Sequence, residues 1–159
     1  MNKNHFRLNL YHYILMTLIL NSGAIWAFDV DTHKITSDLE IYLGLIPTEV
    51  IQNRKITQEN NMHGGITVGK DKYHLVVALF DKRTGERISV AQVTANISSL
   101  GMDGSTKDLE IMKINDVVTF GNYYKLSKNM SYRIRLKIDV PSKGTTEVVF
   151  KASGATEWM

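Results

Sequence analysis

A chain of 159 residues with 43% apolar side chains is one domain's worth, long enough to bury a core without covalent staples. It has no cysteine, which excludes disulfides, thiolate redox chemistry and thiolate metal sites. The formal charge of +3 owes two of its cations to Lys3 and Arg7; without them bases and acids nearly balance, and their interspersion along the chain gives no footprint for nucleic acid or an anionic membrane.

The first 27 residues read as a cleavable export signal. Lys3 and Arg7 supply a positive start, Tyr13 to Leu20 is an apolar run too short to anchor the chain permanently, and Asn21 to Ala27 is a small-residue exit. Cleavage fits after Ala27, or after Ala24, which Ser22 and Gly23 precede. The mature chain then has no membrane span, and its place is the periplasm or the outside of the cell. Residues 28–38 read as a flexible N-terminal segment, with Asp29 and Asp31 lacking the glycine and glutamate that a calcium loop requires.

From residue 39 onward strand patterns dominate. Leu39 to Ile46 is a short candidate, and Pro47 to Gln52 fits a helical turn, because proline suits the first helical position. Residues 53–72 are polar, contain Gly64, Gly65 and Gly69, and form a connection longer than a compact sandwich needs. Tyr73 to Phe80 is apolar on both faces, as a central strand is. The turn from Asp81 to Arg87 leads into Ile88 to Ile97, where Ala91, Val93, Ala95 and Ile97 share a face. Leu109 to Ile114 is short; Asp116 to Leu126 is longer, with a bulge or bend expected at Gly121-Asn122. The clearest strand is Ser131 to Val140, where Tyr132, Ile134, Leu136, Ile138 and Val140 alternate with charged residues. Pro141 to Gly144 reads as a hairpin into Thr145 to Ala152, and residues 154–159 as a tail. The expected fold is an all-β, immunoglobulin-like β-sandwich of about seven strands over residues 39–153. Tyr132, at a strand start, reads as a tyrosine-corner residue.

Motifs for phosphate binding, zinc proteolysis, nucleophile elbows and EF-hands are missing, so a non-catalytic protein is expected. What stands out is histidine beside methionine. Met62-His63-Gly64-Gly65 lies in the long connection, His74 opens the central strand just after it, and Met112 lies on a neighbouring strand. Imidazole and thioether together suit copper, and thioether particularly suits Cu(I). A plainer reading stands beside this one: Met112 as a gap-filler in the core, His74 as a hydrogen-bonding residue of the sheet, Met62 and His63 as loop surface.

The stretch Tyr73 to Asp81 with Thr84-Gly85-Glu86-Arg87, then Phe120-Gly121-Asn122-Tyr123-Tyr124 and Ser131-Tyr132-Arg133-Ile134, resembles the periplasmic immunoglobulin-like sandwiches of the FixH and YtkA-like group. It is also similar to the periplasmic copper-binding component of iron-uptake systems. The resemblance spans about residues 39–151 and implies a copper site built from His and Met at one end of the sandwich. Its counterparts here are Met62, His63, His74 and Met112, while the second histidine of an H-x-x-x-H strand is absent. Two functions follow: a periplasmic copper-binding protein that buffers the ion or delivers it to a membrane-bound partner, or a metal-free sandwich that serves as an interaction module for a cell-envelope partner.

Overall fold

Between Ser131 and Val140 the alternation of the sequence becomes a single strand in the computed structural model, with Ile134, Leu136, Ile138 and Val140 buried and Arg133, Arg135, Lys137 and Asp139 outside. The structure describes residues 28–52, 69–99, 101–114 and 116–154. Within them run β1 (Asp29–Val30), β2 (His33–Ile35), β3 (Leu39–Pro47), α1 (Thr48–Gln52), β4 (Lys72–Asp81) and β5 (Gln92–Ser99). They are followed by β6 (Ser105–Ile114), β7 (Val117–Lys125), β8 (Ser131–Val140) and β9 (Gly144–Ser153).

All pairings are antiparallel, in the order β1-β9-β8-β5-β6-β7-β4-β3-β2. Strand β6 belongs to two sheets, because Ser105 to Leu109 pair with β5 and Glu110 to Ile114 pair with β7. The chain therefore turns a corner within β6, and the curled sheet becomes a sandwich. Its core joins Ile41, Leu75, Val77 and Phe120 of one layer to Val93, Leu136 and Phe150 of the other. The buried Tyr124 hydroxyl crosses between layers, donating to the Ala95 carbonyl at 3.0 Å, and burial pushes this phenol well above its ordinary range.

The seven strands expected from the sequence are β3 to β9; β1 and β2 are additional, so the structure describes nine. Residues 28–38 contain β1 and β2 and run as a strap along the sandwich. Val30 pairs with Ala152 of β9 in one layer, His33 pairs with Tyr42 of β3 in the other, and the Phe28 ring sits edge-on against Tyr73 and Tyr132. Strand β5 begins at Gln92 rather than Ile88. The bulge expected at Gly121-Asn122 is not formed, since the register with β4 runs unbroken from Lys72↔Lys125 to Val77↔Phe120.

Two local devices fix the turns. Asp81 Oδ1 accepts the backbone N–H groups of Arg83 and Thr84 at 2.8 and 2.9 Å, and its Oδ2 meets Lys143 Nζ at 2.7 Å. The Lys143 hydrogen bond, helped by those backbone donors, holds the Asp81 carboxyl far below the usual carboxylate range. At the opposite end the Ser127 N–H donates to the Tyr132 hydroxyl at 2.8 Å, five residues upstream of the tyrosine, as a tyrosine corner does.

Candidate metal centre

Strand β4 turns Tyr73, Leu75, Val77 and Leu79 toward the core, so His74 must lie on the outer face of its layer. The register sets His74 opposite Tyr123 of β7, and the two rings stack with centroids 4.6 Å apart and planes 23° from parallel. Along β7, Phe120 and Tyr124 belong to the core, which puts Gly121 and Tyr123 on the His74 side. On β6, Met112 pairs with Thr119 and shares that outer face. Three neighbouring strands thus deliver one imidazole, one phenol and one thioether to the same side of the sheet. His74 and Met112 are both 2% exposed, although neither belongs to the central core cluster.

Gly121 makes their meeting possible. A β-carbon at this position would stand 2.6 Å from Met112 Cε, 2.7 Å from His74 Nε2 and 2.8 Å from the Leu75 carbonyl oxygen. The ring nitrogen and the thioether end therefore converge over one backbone atom, in space that any other residue would fill. The reason for glycine here is this close approach, and not a bulge.

Of the four residues singled out from the sequence, the structure brings His74 and Met112 together. Met62 and His63 lie outside the described residues. Tyr123 was missed: its contact with His74 follows from strand register, which the sequence does not display. A signal is nonetheless present in the sequence, because the adjacent Tyr123 and Tyr124 place large aromatic side chains on both faces of one strand. His33 is elsewhere, on the edge strand β2, where its Nε2 meets Glu40 Oε1 at 2.9 Å and its ring stacks on Tyr42 at 4.4 Å. The Tyr42 hydroxyl, then His33, lower the Glu40 carboxyl below its ordinary value. Among the described residues no three His, Cys, Asp or Glu side chains are grouped as a metal site.

No protein-family model and no curated protein matches the chain. Solved structures do share its fold. A DUF4426 family protein from Pseudomonas aeruginosa is similar with a TM-score of 0.58 and 14% identity, over 79% of this chain and 96% of that one. A copper-bound variant of FetP from uropathogenic Escherichia coli has a TM-score of 0.56 and 13% identity, over 75% and 91%. A copper-bound variant of P19 from Campylobacter jejuni has a TM-score of 0.57 and 11% identity, over 77% and 93%. None of these three is described as FixH- or YtkA-like. At such identities the likeness is one of fold.

Proposed function

We propose that the chain is a periplasmic copper-binding protein that buffers the ion or passes it to a partner, without a catalytic step. The observation that carries this reading is the convergence of His74 Nε2 and Met112 over Gly121. The copper-bound state of two proteins with this fold supports it, and one of them, FetP, has been recombinantly expressed in the periplasm of Escherichia coli. His74 supplies a borderline nitrogen donor and Met112 a soft sulfur donor; Met62 and His63 complete the proposed set. Thioether is a poor ligand for zinc and magnesium, so the donor chemistry selects Cu(I). Tyr123, stacked on the imidazole, fixes the plane of the ring and so acts as a positioning residue.

Coordination needs a neutral imidazole, so protons compete with the ion and affinity falls as the solution is acidified. The test is a competitive Cu(I) titration of the parent beside His63→Ala, His74→Ala and Met112→Leu, the last keeping apolar volume while removing sulfur. Each variant is expected to bind more weakly than the parent, and Tyr123→Leu to lose about 10–100-fold, the usual effect of removing a group that orients a ligand. Equal binding by all of these proteins, or none by the parent after full reduction, overturns the reading.

A further inference from the structure

Basic residues that are scattered in the sequence are gathered in space by the period of a strand. Arg133, Arg135 and Lys137 occupy successive outward positions of β8, and all three are exposed. The register places Lys151 of β9, also exposed, directly opposite Arg133. At roughly 3.4 Å per residue the β8 cations stand about 6.8 Å apart in a line. None of the four forms an ion pair with a described residue. Arg133 and Lys151, like charges directly opposite on neighbouring strands, repel; Lys137 faces Glu147 and Lys151 lies within the field of the Asp31 carboxylate, so Arg133 and Arg135 are the cations left to a counter-charge from outside.

The surroundings narrow what that counter-charge is. On β5, Ser98, Asn96 and Thr94 are the register partners of Arg133, Arg135 and Lys137, so a row of hydroxyl and amide groups borders the cations. Val149, 39% exposed, lies opposite Arg135 on β9 and offers an apolar contact in mid-row. A cleft of about 540 Å³ opens at the Arg133 end, lined by Ser98, Met102, Asp103, Arg133 and Lys151 among others. Acids bound the patch at both ends: Asp103 in the cleft, with Asp139 and Glu147 beside Lys137. A bilayer or a nucleic acid presents continuous negative charge and is repelled by those acids. A partner with discretely placed carboxylates is instead held in register by them.

We infer that the outer face of the β9-β8-β5 layer docks an acidic segment of a partner protein. Its carboxylates are spaced as alternate residues of an extended chain, about 6–7 Å apart. The face lies on the layer opposite the one that carries His74 and Met112, so a docked partner leaves that side open.

The test uses the purified chain, expressed with its own N-terminal segment, and a fluorescent peptide of alternating Glu and Thr as the probe. The comparison probes are the same peptide with Lys for Glu and vesicles of phosphatidylglycerol. The acidic peptide is expected to bind, more weakly as salt is raised. Combining Arg133→Glu, Arg135→Glu and Lys137→Glu is expected to weaken binding by about tenfold or more. Lys70→Glu, Lys113→Glu and Lys125→Glu together change net charge equally and are expected to leave it within about twofold. A triple exchange of the β8 cations to Gln, which retains bulk without reversing charge, should give an intermediate loss if the Glu variant melts early. Equal weakening by the control triple, no binding of the acidic peptide, or vesicle binding as tight as peptide binding overturns the inference.

Discussion

Gly121 and Asp81 show how single positions set what their neighbours do. An alanine at 121 would push a methyl group into space held by Met112, His74 and the Leu75 carbonyl, and the last is backbone that cannot swing aside. Overpacking of this kind costs about 1–3 kcal/mol. Gly121→Ala should therefore lower the melting temperature modestly and, by forcing His74 Nε2 and Met112 apart, weaken Cu(I) binding in the protein that remains folded. A folded Gly121→Ala protein with parental copper affinity would separate the glycine from the site. Asp81 makes a different prediction, one of pH. Its carboxyl is held low in the folded state by Lys143 and the turn N–H groups. Its stabilising contribution is thus fully present above the unfolded value near ~3.9 and is lost as pH falls through the folded value. Asp81→Asn should melt below the parent at neutral pH, with the gap shrinking only under strongly acid conditions. A gap that is constant from neutral pH to pH ~2 would show that the charge of Asp81 contributes nothing.

Elements were legible wherever the period had room to show itself. Strand β8 matches its expected bounds, Ser131 to Val140, because ten residues of unbroken alternation leave one choice of face. Leu136→Ala should accordingly cost about 2–5 kcal/mol through lost burial and a residual cavity. Arg135→Ala, on the wet face, should stay within about 0.5 kcal/mol, and denaturant melts of the two variants give the comparison. Strands β1 and β2 escaped notice because two and three residues are too few to carry a period. The role of Gly121 was misread for a related reason: glycine in a strand signals either a bulge or a close approach, and only the register with β4 decides which. His74 and Met112 stand out by residue chemistry in a chain with no cysteine, and the structure sets them side by side at Gly121. Tyr123 and the β8 cation row were not legible in this way, because a cross-strand partner and a shared face are properties of topology.

At the scale of the whole molecule the sandwich is closed along both sides, by β6 turning from one layer to the other and by the strap from Phe28 to Ile35. The strap is held by few but well-distributed contacts. The Asp31 N–H donates to the Lys151 carbonyl at 2.9 Å, the Leu43 N–H donates to the Thr32 carbonyl at 2.9 Å, and the Phe28 ring leans on Tyr73 and Tyr132. The strap pairs with Ala152 and Ser153 of β9 and with Glu40 to Tyr42 of β3, so its removal extends the free edge of each of these long strands to its full length. Long free edges invite pairing with a second chain, whereas the two- and three-residue strands β1 and β2 present almost nothing to pair with. Deletion of residues 28–35 should therefore lower the melting temperature and shift elution toward larger species, increasingly so at higher protein concentration. The double change Phe28→Ala and Asp31→Ala, which loosens the strap while leaving its backbone in place, should lower stability with less self-association. A deletion variant that melts and elutes like the parent would show that β6 alone closes the sandwich and that the N-terminal residues merely lie along it.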